Sequence, residues 1–290
     1  MTYSSLSKRF SKHSYFCGWY FRCQSYQQTL ALIPSVHRTK GCQSCAIQLI
    51  TDTQSFHVPF SCTEFQKHDN QIILAGNRFG KMGITLDIHT PALHAFGSVL
   101  FGTFTPIQYD IMGPFRYVPF MQCRHSVYSM RHSVDGTLSI NGIPYVFQNA
   151  VGYLEGDRGY SFPRKYAWTQ CSFSDGDLML SVADIPFGGL RFTGIIGVIL
   201  LEGKEYRLAT YLGSKALKID AGEIVIRQND FTLIVKPGSQ SGHPLRAPVS
   251  GAMTRTIHEH PSCRVFYRFE KNGIPLLELY AQNAAFEYEY

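Results

Sequence analysis

Apolar residues in this chain recur with period two, in short runs that turn dipeptides interrupt at roughly ten-residue intervals. Helical periodicity is nearly absent. In Tyr206-Arg207-Leu208-Ala209-Thr210-Tyr211-Leu212, one face reads Tyr, Leu, Thr, Leu and the other Arg, Ala, Tyr. In the run from Val265 to Glu270, one face is entirely Val, Tyr and Phe. Asp135-Gly136, Asn141-Gly142, Asp175-Gly176 and Asn272-Gly273 read as hairpin signals, because such pairs tolerate positive φ. About twenty strands follow from this pattern, as in sandwiches and barrels. The prediction is all-β.

A chain of 290 residues favours two domains, and strands in this number avoid exposed edges by closing into barrels. Gly188-Gly189 and Gly194 interrupt the strand-like stretch from Asp177 to Leu201 and suggest bulges or sharp bends. The two tryptophans, Trp19 and Trp168, stand 149 residues apart, each near the start of one half. A tryptophan on a first strand resembles the lipocalin pattern, in which it plugs the closed end of the barrel. The predicted architecture is two tandem lipocalin-like antiparallel β-barrels, residues 1–148 and 149–290.

Composition narrows the function. With 44% apolar and 17% charged residues, there is ample core material, and disordered or coiled-coil readings fail. The longest apolar run, Gly194 to Leu201, is far shorter than the ~20 residues of a spanning helix. The first residues carry no apolar stretch of a secretory signal, so the eight cysteines are expected to be reduced thiols in a cytoplasmic protein. They include a single CxxC, Cys42 and Cys45. Residues 1–145 carry a net +6 and residues 146–290 none, and no acidic residue precedes Asp52. That basic first half suits either a solvated arm or a peripheral contact with an anionic membrane surface. No nucleic-acid motif accompanies it, so no nucleic-acid partner is expected.

Several segments together resemble the tocopherol cyclase family. Phe16-Cys17-Gly18-Trp19-Tyr20-Phe21 looks like its opening F-x-G-W-Y-F. Ile111-Met112-Gly113-Pro114-Phe115 and Val118-Pro119-Phe120-Met121-Gln122-Cys123 look like its I-M-G-P-F and V-P-F-M-E-C, followed by His125. The stretch from Gly152 to Pro163 resembles G-Y-x-E-x-D-W-G-x-S-F-P, and Leu245-Arg246-Ala247-Pro248 and Gly251-Ala252-Met253 extend the series. Three positions depart from it: Cys17 where the family has an acid, and Arg158 and Tyr166 where it has Trp. The resemblance implies two lipocalin-like barrels and acid-catalysed cyclisation of a prenylated quinol or related isoprenoid to a chromanol-type ring. Neither cofactor nor metal is needed for that chemistry, and the partner is an apolar small molecule. The alternative is a non-catalytic carrier of an apolar isoprenoid or lipid.

Protonating an alkene requires an acid that keeps its proton in an apolar pocket, then π faces and dryness around the cation. By motif, Glu155 and Asp157 are the candidate donors. They lie two apart, on one face if the segment is extended, and could equally form a hydrogen-bonded structural cluster. Asp184, inside the apolar run from Leu178 to Pro186, is a third candidate acid, and His125 could relay the phenolic proton. Trp19, Tyr20, Tyr153, Trp168, Phe120 and Met121 are candidate cavity residues or ordinary barrel core. His258-Glu259-His260 places two imidazoles on one strand face without an evident third metal ligand.

Overall fold

The computed structural model describes residues 14–39, 41–68, 71–119, 121–187, 189–238 and 242–290. Among these residues the chain forms strands and three short 3-10 turns, with no α-helix. The first sheet holds β1 (Tyr15–Gln24), β2 (Thr29–Thr39), β3 (Cys42–Thr51), β4 (Ser55–Phe60), β5 (Phe65–His68), β6 (Gln71–Leu74), β7 (Asn77–Gly80), β8 (Gly83–His89), β9 (His94–Phe101), β10 (Cys123–Ile140) and β11 (Ile143–Gly159). The second holds β12 (Tyr166–Phe173), β13 (Gly176–Phe187), β14 (Leu190–Leu201), β15 (Lys204–Ala209), β16 (Lys215–Asp220), β17 (Glu223–Gln228), β18 (Phe231–Pro237), β19 (His243–Val249), β20 (Ala252–Lys271) and β21 (Ile274–Tyr288).

Strand order dictates that both sheets curl. The first runs β4-β3-β2-β1-β11-β10-β9-β8-β7-β6-β5, so its edge strands are consecutive in the chain. Laid flat, those edges would stand ~48 Å apart at ~4.8 Å per strand. Residues 61–64, which join them, reach no more than ~18 Å. The second path, β15-β14-β13-β12-β21-β20-β18-β17-β16, meets the same constraint across residues 210–214. Each sheet therefore closes around its own core, and the fold is two lipocalin-like antiparallel barrels. Alternation does the rest. Cys17, Trp19, Phe21 and Cys23 of β1 enter the first core, while Ala167 and Cys171 of β12 enter the second.

Asn141-Gly142 and Asn272-Gly273 form the expected turns, with φ of 49° and 83°, and 49° and 79°. Asp135-Gly136 does not. It lies inside β10, where Gly136 (φ 135°) lets the β9 backbone approach so closely that a Cβ would overlap Ser98 O. Gly189 (φ 83°) belongs to a hairpin between β13 and β14, so this region is a reversal and not a bent single strand. The cysteines bring another correction. Cys45 of β3 and Cys62 of the first 3-10 turn form a disulfide that ties β3 to the turn joining the first barrel's two edge strands, whereas Cys42 is exposed and free. Strand alternation explains the choice: Cys45 points into the core, and Cys42, three residues away, points out.

The chain divides into two compact units that exchange segments. One takes in the chain up to Pro106, His125–Phe162 and Leu245–Thr256; the other comprises Ile107–Arg124, Pro163–Pro244 and Ile257–Tyr290. Arg207 holds the Ile107–Arg124 segment within its unit. Its Nη2 donates to Tyr109 O at 2.6 Å, and its guanidinium lies 3.8 Å above the Tyr109 ring. Gly113 (φ 50°) follows, so close to Tyr211 that a Cβ would stand 2.5 Å from the ring. The Ile-Met-Gly-Pro-Phe motif is thus built for docking. In the other unit Gln48 exchanges two hydrogen bonds with the Arg246 backbone, at 3.0 and 2.8 Å, which fixes the Leu-Arg-Ala-Pro motif.

Candidate active site

Leu154 points into the first core, so Tyr153, Glu155 and Asp157 share the opposite face of β11. On neighbouring β1, the same parity leaves Gly18, Tyr20 and Arg22 on that outer face. The register sets Gly18 opposite Asp157, Tyr20 opposite Glu155 and Arg22 opposite Tyr153. This face is buried despite being turned from the core: Tyr20, Arg22, Tyr153 and Glu155 are all nearly inaccessible.

His125, at the start of β10, enters between the two carboxylates. Its Nδ1 lies 3.0 Å from Asp157 Oδ1, and its Nε2 lies 3.1 Å from Glu155 Oε2. The first contact is a hydrogen bond; at the second the ring N–H is close but not aimed at the oxygen. The Tyr153 hydroxyl donates to Glu155 Oε2 at 2.5 Å. Side-chain exposure falls from 23% at Asp157 to 9% at His125 and 7% at Glu155, so Asp157 is the most reachable member.

Burial by itself would lower the pKa of His125. The charges of Glu155 and Asp157, with the hydrogen bond to Asp157, outweigh it and hold the imidazole protonated well above its usual range. Burial, then the charge of Glu155, pushes the Tyr153 phenol well above its ordinary value, so Tyr153 keeps its proton. The result is an imidazolium bridging two carboxyl groups, one anchored by a phenol and one facing outward.

His125, Glu155 and Asp157 are also the group of three metal-ligating side chains found among the described residues, with ligand atoms within 4.8 Å of one another. A cation could draw on these three. As placed, each ring nitrogen faces a different carboxylate, which suits a protonated imidazole better than one metal bound through one nitrogen. No such group of three forms around His258, Glu259 and His260 among the described residues.

Of the sequence-selected residues, the structure brings together His125, Glu155, Asp157, Tyr153 and Tyr20. Trp19 lies on the inner face of β1, its ring under the Lys67 ammonium at 4.7 Å. Trp168, Asp184 and Met121 belong to the other unit. Trp168 occupies the outer face of β12, and Asp184 of β13 accepts a hydrogen bond from Arg191 Nε at 2.6 Å. Phe120 lies outside the described residues. Sequence reasoning passed over Arg22, which is only 2% exposed and donates to Gln24 Oε1 at 2.6 Å. Its signal was available: an arginine on a strand whose other members are nearly all apolar.

No family model matches the sequence. A rice protein (Oryza sativa subsp. japonica) described as "Probable tocopherol cyclase, chloroplastic" is 29% identical over 170 residues. That match takes in 52% of this chain, which spans about a third (34%) of the relative's length. The structure of CghA with Sch210972 superposes with a TM-score of 0.62 at 9% identity, covering 95% of this chain and 88% of that one. Kievitone hydratase from Nectria haematococca gives a TM-score of 0.51 at 7% identity, covering 96% and 89%. At such identities these two structures share the fold with this chain.

Proposed function

We propose that the protein is a tocopherol-cyclase-like enzyme that closes a chromanol-type ring on a prenylated quinol or related isoprenoid by acid catalysis. The observation that carries the reading is the His125 imidazolium set between Glu155 and Asp157 on a buried face. Glu155 is the more deeply buried of the two and accepts the Tyr153 hydroxyl, whereas Asp157 has the more accessible carboxyl group. Asp157, protonated through His125 Nδ1, gives its proton to the trisubstituted alkene, and a new C–H bond forms at the less substituted carbon. The phenolic oxygen captures the tertiary cation, a C–O bond forms, and the phenolic proton returns to the Asp157–His125 pair. No proton is gained or lost overall, so the reaction is an isomerisation. Tyr20 offers a π face to the cation, and the buried surroundings limit its capture by water.

The similarity to the rice protein supports this choice of substrate class. Purified protein incubated with a panel of prenylated hydroquinones is expected to yield a chromanol, with the yield lost in D157N and E155Q. Recovery of unchanged quinol, bound but never cyclised at any pH, would replace the enzyme with a carrier of the same ligand.

A further inference from the structure

Gly18 has no structural reason to be glycine. Its φ is not in the left-handed region, and a Cβ built there would meet only Ser35 Cβ at 3.7 Å and Ile33 Cγ2 at 3.9 Å, both ordinary contacts. Several other glycines within strands are forced. A Cβ at Gly97 would overlap Thr137 O, one at Gly152 the His132 ring, and one at Gly176 Leu200 O. A strand-interior glycine weakens its strand, so a bare position without a packing or backbone demand marks close approach by something else.

The surroundings of Gly18 form a slot. Its missing side chain would stand on the outer face, directly opposite Asp157 on one side and Ser35 on the other. Phe16 and Tyr20, two residues before and after on the same face, make aromatic walls, each ~6.8 Å along the strand from the glycine. Phe16 packs edge-on against Phe162 at 5.3 Å, and between Phe16 and Tyr20 the partly exposed Gly18 presents backbone alone. At its β11 side stands the Asp157–His125 pair, and His125 Nε2, buried and without an aligned hydrogen-bond partner, lies just beyond. Gly18 and Asp157 are both less buried than Tyr20 and Glu155 in the adjoining row and than Phe16 beyond, so this row is the reachable part of the face.

We propose that Gly18 is the floor of a subsite for a planar ring bearing a hydroxyl group, lying between Phe16 and Tyr20 with its oxygen toward Asp157. The inference rests on the proposed function only for the identity of that ring; the vacancy at Gly18 is independent of it. An apolar tail alone would not need a flat floor beside a charged pair. A quinol head does.

The test is a G18A and G18V series, with melting temperature measured beside equilibrium binding of three probes. These are trimethylhydroquinone (ring without tail), geranylgeraniol (tail without ring) and geranylgeranyl hydroquinone. G18A is expected to melt at or above the wild-type temperature. G18V is expected to bind trimethylhydroquinone and geranylgeranyl hydroquinone at least about tenfold more weakly, and geranylgeraniol within about twofold of wild type. Should G18V fail to fold, G18A carries the same comparison with a smaller shift. Equal ring affinity in wild type and variants, or no ring affinity in wild type, overturns the subsite. Ring binding that depends on Gly18 without any chromanol formed would sink the cyclase reading while leaving the subsite in place.

Discussion

The two barrels share a frame and differ in what they place on it. In each, the first strand pairs with the last, β1 with β11 and β12 with β21. At each junction an outward-facing buried glutamate accepts a 2.5 Å bond from a tyrosine: Glu155 from Tyr153, and Glu287 from Tyr166. Each glutamate also has an aromatic residue in register on the first strand, Tyr20 or Trp168. From the penultimate strand the first barrel adds His125, whereas the second sets Glu259 opposite Glu287. A phenol-held glutamate is therefore part of the common scaffold. Among the described residues, an imidazole between two carboxylates is particular to the first.

That contrast breaks most visibly under substitution. D157N is expected to reduce chromanol formation by about 10²–10⁴, the usual worth of a positioned acid. E287Q, which alters the equivalent glutamate without touching the imidazole, is expected to cost about 1–3 kcal/mol of stability and leave turnover within an order of magnitude. Steady-state rates and urea midpoints on the same preparations decide it. A fall in E287Q as deep as that of D157N would make the second junction part of the chemistry. H125Q is expected to lose about 3–5 kcal/mol, because it leaves the buried Glu155 carboxylate without the neighbouring cation.

The same histidine sharpens the comparison by its pH dependence. The folded pKa of His125 is raised above the unfolded ~6.5, so its pairing stabilises fully below ~6.5 and is lost as pH rises through the raised value. The deficit of H125Q should accordingly shrink at alkaline pH. Two histidines in the same unit do the reverse. Burial pushes both His37 and His132 down to about 4, with repulsion from His57 adding at His37. Their contribution is whole above ~6.5 and is lost as pH falls from there toward 4, by up to about 3 kcal/mol each. Urea midpoints from pH 4 to 9 should show this acid limb, flattened in H132F. An unchanged acid limb in H132F would assign it to other groups.

The seams give the next largest effect. Cys45–Cys62, 17 residues apart in sequence, staples the first barrel, and its removal in C62S should cost about 3 kcal/mol. The second is stitched by Gln228, whose Oε1 accepts from Ala209 N at 3.0 Å and Ser214 Oγ at 2.7 Å, while its Nε2 donates to Arg207 O at 2.8 Å. Q228A should cost about 2 kcal/mol and be indifferent to reductant, whereas dithiothreitol should lower the wild-type midpoint by as much as C62S does. A wild-type midpoint insensitive to dithiothreitol would remove the staple from the account.

Much of this was legible because strand chemistry is local. Period two placed Glu155 and Asp157 on one face, and Asn-Gly pairs marked two hairpins. Turns at Ala75-Gly76, Glu202-Gly203 and Ala221-Gly222, with the first residue at φ of 49°, 50° and 48°, escaped because Ala and Glu give no turn signal. The seam disulfide escaped for another reason. The CxxC drew attention to Cys42, although a spacing of three on a strand puts Cys42 and Cys45 on opposite faces. Nothing local joins His125 to Glu155, since that contact depends on how β10 meets β11; the family resemblance singled out both residues without pairing them.

Asp184 shows where local reading misleads, and it supplies the smallest test. Its parity matches Leu178, Leu180 and Val182, all in the second core, so the apolar run predicts a carboxylate aimed inward. The core ends at Val182, however, and Asp184 lies one step further, near the end of β13, where its side chain is 26% exposed and meets Arg191. Burial depends on position along a strand as well as on face. An ion pair this accessible is worth little, so D184N and R191Q should each shift stability by less than about 1 kcal/mol, with a coupling energy of similar size in the double mutant. D184N should leave chromanol formation unchanged within error. A loss approaching that of D157N would mean that the carboxylate reaches the chemistry after all, and that the first barrel does not supply the acid alone.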